Sequence, residues 1–301
     1  MKKFLSVLMA GAMLFGVLTL AGCGDTTTDT GEDTTTTEDT TTTAEFTTVT
    51  EGVLTMSTNA AFPPYEMTDD SGNIVGIDAE IAAAIAEKLG LELQIYDMDF
   101  DGALAAPQSG KSDIVMAGVT VNEERQLVLD FSNTYANGVQ KVIVAEGSDI
   151  TMENLGEQQI GTQKGTTGNI LTTDEFGEDH VIAYDDAIAA VQALNNGQID
   201  CVVIDSAVAD NLVEANPGLT TLDTDYANEE YAIGVAKGNT ALLDAINTAL
   251  QELIDDGTVQ SIIDKYIPTD GTAADEAGTT DEAGATDEAG ATDGAEADTA
   301  A

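Results

Sequence analysis

Arg125 is the only arginine in this acidic chain, in the segment MAGVTVNEERQLVLDFS (116–132). Nine basic residues stand against 55 acidic ones. Lysine anywhere would serve surface charge balance. Arginine differs because its planar fork holds a carboxylate through two parallel hydrogen bonds. That carboxylate could belong to the protein, with Asp130 or a flanking glutamate as partner, or to a ligand. Asn122 stands where it could cap a helix with Arg125 just inside it. A second polar cluster, QKGTTGN (163–169), precedes a short helical pattern. Its glycines let the backbone turn, and Thr166 and Thr167 can present N–H and hydroxyl donors. Asp205 ends the apolar run CVVID, where aspartate is a favoured N-cap for a helix starting at Ser206.

Other chemistries find little support. The chain has one histidine, His180, and two cysteines, Cys23 and Cys201, so no metal-ligand cluster is expected and no cofactor. It contains no HExxH, no GxSxG and no nucleophile–histidine pair, so it is not expected to be an enzyme. A formal net charge of −46 at pH 7 would repel nucleic acid and anionic lipid headgroups.

The N-terminus carries an address. Lys2 and Lys3 precede the apolar stretch Phe4–Leu20, too short and wrongly flanked for an ordinary membrane span. It ends in LAGC (20–23), which resembles the bacterial lipobox. That implies a signal peptide over residues 1–22 and a diacylglycerol-modified Cys23, a stable anchor at ~0.8 kcal/mol per buried CH₂. Cys201 then has no disulfide partner, and its place in IDCVVID suggests a small core residue. Residues 23–51 are rich in Thr, Asp and Glu and read as a disordered tether. Residues 269–301, with DEAG repeating at Asp275, Asp281 and Asp287, read as a disordered acidic tail.

Between these flanks, short β-rich runs alternate with helical ones. VLTMST, LELQIYD and DIVMAG read as strands around the helix IDAEIAAAIAEKLG, with Ile77, Ile81, Ile85 and Leu89 on one face, Asp78 as cap and Gly90 as stop. DGALAAPQSG reads as a short helix that Pro107 ends or bends. A second series follows, with GVQKVIVAE, QIGTQ, DCVVID and YAIGVAK as strands. Helices over DDAIAAVQALNNG and SAVADNLVEAN interleave with them, and two more close the chain. This alternation implies α/β layers with mostly parallel sheets, in which ligands sit beyond the carboxyl ends of the strands. NAAFPPYE is expected to be a loop, because Pro63-Pro64 suits neither helix nor ladder. Phe62 and Phe100 would by type alone be core.

Taken in order, NAAFPPYE, GIDAEIAAAIAEKLG, AGVTVNEERQLVLDFS, QKGTTG and VVIDS resemble the extracellular solute-binding proteins of ABC amino-acid importers, the polar amino-acid subgroup, over residues 52–268. The resemblance implies a two-lobed periplasmic-binding-protein-like fold of type II. Lobe 1 would span 52–134 plus 233–268 and lobe 2 140–229, with hinges near 135–139 and 230–232. It implies that Arg125 grips a ligand α-carboxylate, helped by Thr120, Thr166 and Thr167. Asp205, with Gly118 and Thr120, would accept from the α-ammonium. Phe62 and Phe100 would wall the ligand side chain, Tyr65 would pack below, and Asn59 and Gln163 would tune specificity. The function implied is a monomeric receptor, lipid-anchored on the outer face of the cytoplasmic membrane. It would deliver a free amino acid to an importer permease and its ATPase. A sensor acting with a separate signalling partner, or a dehydratase on the same scaffold, are the alternatives.

Overall fold

The computed structural model describes residues 46–224 and 226–268; the expected leader, Cys23, the tether up to residue 45 and the repeat tail lie outside the described residues. Among the described residues no helix is long and apolar enough to cross a membrane. Residues 46–51, read above as the end of the tether, lie along the body. Phe46 packs against the main core, and the Val49 N–H donates to Asp113 Oδ1 at 2.6 Å.

The first half starts with β1 (Val53–Thr58), buried at five of its six positions. NAAFPPYE is less of a loop than its prolines suggest. β2 (Ala61–Phe62) and β3 (Glu66–Thr68) pair across the Pro63-Pro64 turn, Phe62 opposite Glu66, and β4 (Ile74–Val75) completes a small antiparallel sheet. The prolines occupy the turn between strands, where no ladder hydrogen bond is asked of them. α1 (Ile77–Leu89) buries Ile77, Ile81 and Ile85 and stops at Gly90 as its spacing predicts. Its N-terminus corrects the expectation: Gly76 is the cap position, without a side-chain bond. Asp78 instead points inward, fully buried, and accepts from the Gly118 N–H at 2.9 Å. β5 (Glu92–Asp97), α2 (Phe100–Ala105) and β6 (Ile114–Val115) follow, with β5 and β6 parallel to β1.

β7 (Leu129–Ala145) is one strand of 17 residues, continuous through the segment expected to form a hinge. The second half then adds β8 (Ile160–Gln163), α3 (Thr167–Phe176), β9 (Val181–Tyr184), α4 (Ala187–Asn195), β10 (Cys201–Asp205), α5 (Ser206–Ala215) and β11 (Leu219–Thr221). β12 (Ala227–Ala236) returns to the first half, and α6 (Thr240–Asp255) and α7 (Thr258–Tyr266) pack against α1.

One sheet links both halves in the order β5-β1-β6-β12-β7-β10-β8-β9, with β11 paired to β7. Parallel pairing holds only toward the two ends. The centre, β6–β12–β7–β10, is antiparallel throughout, which corrects the mostly parallel expectation. The physical reason is that β7 and β12 run the chain out and back between the halves, so they must oppose each other. Their register shifts on either side of Ala232, between Tyr231 and Gly234. Side chains such as Leu54, Ile81, Val202 and Ile246 fill the interior at full burial, each worth about 1.5–3 kcal/mol relative to exposure. Cys201 is buried and has no disulfide partner among the described residues, and burial pushes its thiol up to about 12. It is a core residue, as its surroundings in the sequence suggest.

Candidate functional site

Between the halves the lining side chains leave about 360 Å³ of unfilled space, including its mouth. Asn59, Phe62, Phe100, Gly118, Thr120 and Arg125 line it from one side, and Gln163, Thr166, Thr167 and Asp205 from the other. All ten residues singled out from the sequence therefore meet in one place. Their elements explain how. Asn59 and Phe62 follow the carboxyl end of β1, Gly118 and Thr120 that of β6, Gln163 ends β8 and Asp205 ends β10.

Arg125 opens a three-residue 3₁₀ turn, Arg125–Leu127, rather than a longer helix. Asn122 accepts from its backbone N–H at 2.8 Å, so the cap is present on a shorter element. Arg125 is 6% exposed, and its guanidinium carbon sits 5.3 Å from the centre of the Phe100 ring. Nη1 donates to the Thr120 carbonyl at 2.8 Å and Nη2 to the Gly165 carbonyl at 3.1 Å. Among the described residues no carboxylate forms a salt bridge with it. Asp130, the internal partner considered above, pairs with Lys237 at 2.7 Å instead. Burial lowers the guanidinium's proton affinity, and the field of Glu229 opposes that effect.

Asp205 caps a helix and lines the cavity at once. Oδ1 accepts from the N–H groups of Ala207 and Val208, at 2.9 and 3.3 Å, and so caps α5. Oδ2 is buried, with no hydrogen-bond partner among the described residues. Burial first, then the nearby charge of Glu229, push its carboxyl up to about 7. The backbone has made room for it. A Cβ at Gly138, in β7, would lie 2.2 Å from this oxygen.

The threonines act differently from one another. Thr166 is the N-cap of α3, and both its hydroxyl (2.7 Å) and its N–H (3.3 Å) donate to the Gln163 carbonyl. Thr166 lines the cavity with its hydroxyl turned to that carbonyl. Thr167, in the first turn of α3, donates its hydroxyl to that of Thr120 at 2.9 Å, and Thr120 passes its own proton to Glu229 Oε1 at 3.0 Å. Thr120 is thus a relay, not a free donor. Gly118 has φ +52°, and a Cβ there would lie 2.9 Å from Phe62 Cε1. Phe62 and Phe100 are buried and line the cavity at once, so core and wall are one role here. Tyr65 packs edge-on against Tyr231 at 5.1 Å between centroids, away from the cavity lining.

Four polar lining residues escaped the sequence reading: Glu66, Gln140, Glu229 and Tyr231. Glu229 accepts from Thr120, from Gln140 Nε2 at 2.8 Å and from the Tyr231 hydroxyl at 2.9 Å. Glu66 stood in plain view at the end of NAAFPPYE. Gln140 and Glu229 are far apart in sequence, and only the β7–β12 register brings them together.

Asn59 and Gln163 form a bridge between the halves. Asn59 Nδ2 donates to the Met98 carbonyl at 2.8 Å, which leaves Asn59 Oδ1 to accept from Gln163 Nε2 at 2.9 Å. Gln163 Oε1 is then left over. Among the described residues, five buried oxygens on the cavity wall have no partner in the protein: both of Glu66, Oε1 of Gln140, Oε1 of Gln163 and Oδ2 of Asp205. An unmatched buried acceptor costs about 1–3 kcal/mol. A wall with several of them is built to meet donors from outside the chain.

Two α/β halves joined by crossing strands, with a polar cavity between them, define a two-lobed, periplasmic-binding-protein-like fold of type II. The sequence profile of the bacterial extracellular solute-binding proteins, family 3, matches residues 54–269, and the chain belongs to that family. It is similar to the L-cystine-binding protein TcyJ of Escherichia coli strain K12, 31% identical over 73% of this chain and 85% of the relative. A probable histidine-binding protein of Neisseria gonorrhoeae is 29% identical over 91% of this chain and 98% of the relative. Among solved structures, an ancestral arginine-binding protein bound to glutamine superposes with a TM-score of 0.69 at 39% identity, covering 72% of this chain and 99% of that one.

Proposed function

We propose that the chain captures a free amino acid in this cavity and delivers it to an ABC importer, acting by binding rather than turnover. It would work as a monomer on the outer face of the cytoplasmic membrane, held by lipid on Cys23. The observation that carries the reading is the pairing of opposite poles. Among the described residues, a buried guanidinium without a carboxylate partner faces the same space as a buried aspartate oxygen without a hydrogen-bond donor. An α-carboxylate and an α-ammonium complement both. The names of the similar proteins point the same way. Cystine, histidine and glutamine differ in side chain and share only those two groups.

Residues 52–134 plus 233–268 would form one lobe and 140–229 the other, hinged near 135–139 and 230–232. The register shifts beside Ala232 support that placement, because an irregular ladder bends more easily than a regular one. Closure on ligand would then present one liganded shape to the permease. Unfolding and refolding the protein to strip carried ligand, then titrating the proteinogenic set by calorimetry, tests the capture reading. Tight binding of at least one free amino acid is expected, and failure of the entire set overturns it. Radioactive fatty-acid labelling of cells, present for the native chain and lost in Cys23→Ser, tests the anchor.

A further inference from the structure

Across the gap between the halves, Gln163 bonds to Asn59, Thr167 bonds to Thr120, and Arg125 donates to the Gly165 carbonyl. Those five side chains all line the cavity. Another contact across the gap lies outside the lining. Lys164 Nζ, from the second half, sits 2.7 Å from Asp101 Oδ2, from the first, and neither residue borders the cavity. Lys88, Lys237 and Lys265 pair with acids within the first half, and Lys141 pairs with one within the second. Among the described residues, Lys164–Asp101 is therefore the ion pair that bridges the halves.

The backbone holds both partners in place. Asp101 stands in the first turn of α2, which Asp99 caps through the Gly102 N–H at 2.9 Å, and its neighbour Phe100 is buried. Lys164 directly follows β8, and its own N–H donates to the Tyr184 carbonyl at 2.8 Å. A Cβ on Gly165 would collide with Asp101 Oδ1, so the glycine beside Lys164 lets the acid come this close. The charged ends stand in water, with side-chain exposures of 61% for Lys164 and 47% for Asp101. Such a pair contributes a small, salt-sensitive amount.

We propose that Lys164 and Asp101 form a latch that sets how tightly the closed cleft holds an amino acid without helping to choose which one. The inference rests on the capture function proposed above and adds two positioning residues that do not touch the ligand. A side chain in the lining affects strength and choice together, because different ligands meet it differently. A contact outside the lining enters only the free energy of bringing the halves together, which every ligand shares. Its loss should weaken all ligands by one common factor. Release should speed up more than capture slows, because the pair forms only once the halves have met.

The test is calorimetry on the full chain, stripped by refolding, with each proteinogenic amino acid, L-histidine and L-glutamine included. Asp101→Asn and Lys164→Met are each expected to weaken every amino acid that binds by the same factor, about two- to fivefold. Stopped-flow displacement should show release faster by about that factor. Asp101→Lys sets two ammoniums against each other and should cost about five- to twentyfold. Adding Lys164→Asp to it should bring affinity back to within about threefold of the native protein. That rescue separates the latch from damage to α2, because lysine in the first helical turn opposes the helix dipole in both variants. Raising NaCl from about 0.05 M to about 1 M should close most of the gap between native and Asp101→Asn protein. Native affinity in both Asp101→Asn and Lys164→Met overturns the latch and leaves amino-acid capture standing. So does a loss that differs more than about threefold between amino acids, or a charge swap that recovers nothing. Should a single amino acid bind, the swap decides alone. No binding by any of them removes both readings.

Discussion

The Nη2 group of Arg125 lies 3.1 Å from the carbonyl oxygen of Gly165 and donates to it across the gap between the two halves. The contact ties the 3₁₀ turn after Thr120 to the loop before α3. With the Thr167–Thr120 and Gln163–Asn59 bonds, it makes the cavity wall a joint product of both halves. The cavity lining and the contacts between the halves therefore share the same side chains.

Replacing Arg125 by alanine is expected to abolish amino-acid binding, at a cost of about 2–5 kcal/mol, because the fork has no substitute in the wall. Lysine at this position keeps the charge but not the planar pair of donors, and should restore little. Calorimetric titration of each variant checks this. Affinity near that of the native protein in Arg125→Ala would remove the anionic-group anchor.

Asp205→Asn separates the two jobs of one side chain. Asparagine caps helices about as well as aspartate, so the midpoint of thermal unfolding should move little. The oxygen facing the cavity, however, loses its charge. Amino acids should weaken more than their deaminated analogues, measured side by side, and equal losses would place Asp205 outside the ammonium site.

Gly138→Ala probes the same oxygen through the backbone. The added methyl would sit 2.2 Å from Asp205 Oδ2. We expect a stability loss of about 1–3 kcal/mol, typical of an overpacked interior, together with weakened binding. Native urea-unfolding behaviour and native affinity in this variant would contradict the packing described for Asp205.

Stability should fall as pH rises toward neutrality. Asp205 and Asp78 are lifted to about 7 and about 6 from an ordinary value of 3.8. Through that window the folded state binds more protons than the unfolded one, so the contribution is complete at the acid end and lost as pH rises through the folded values. Carboxyls drawn downward, such as Asp130 beside Lys237, contribute stability already complete above 3.8 and oppose the trend only in stronger acid. Urea midpoints of stripped protein should be lower at about pH 7.5 than at about pH 5.5, by a free energy on the order of 1–4 kcal/mol. A midpoint that climbs over this interval would contradict the burial of uncompensated acids beneath the cavity.

Much of this protein was legible residue by residue. Helix faces such as Ile77–Ile81–Ile85 follow from spacing, because a 3.6-residue period aligns them on one side whatever surrounds them. Arg125, Asp205 and Thr167 were legible as well, since they stand in short motifs whose neighbours already define a turn or a cap. Local signals misled where a residue's partner lay far along the chain. Asp78 was read as a helix cap because its sequence neighbours suggest one, yet its partner is Gly118. β7 was read as a strand only from Gly138 onward, yet pairing with β12 extends it back to Leu129. The polarity of the cavity was decided by tertiary structure alone. Nothing near Gln163 in sequence says which end of its amide faces inward. That follows from Asn59 and Met98, brought within hydrogen-bond reach by the packing of one half on the other. The sequence determined which side chains could do the chemistry, because type and local spacing are properties of the chain. Only the folded structure decided which of their atoms remain free to do it, because hydrogen-bond partners are assigned in space.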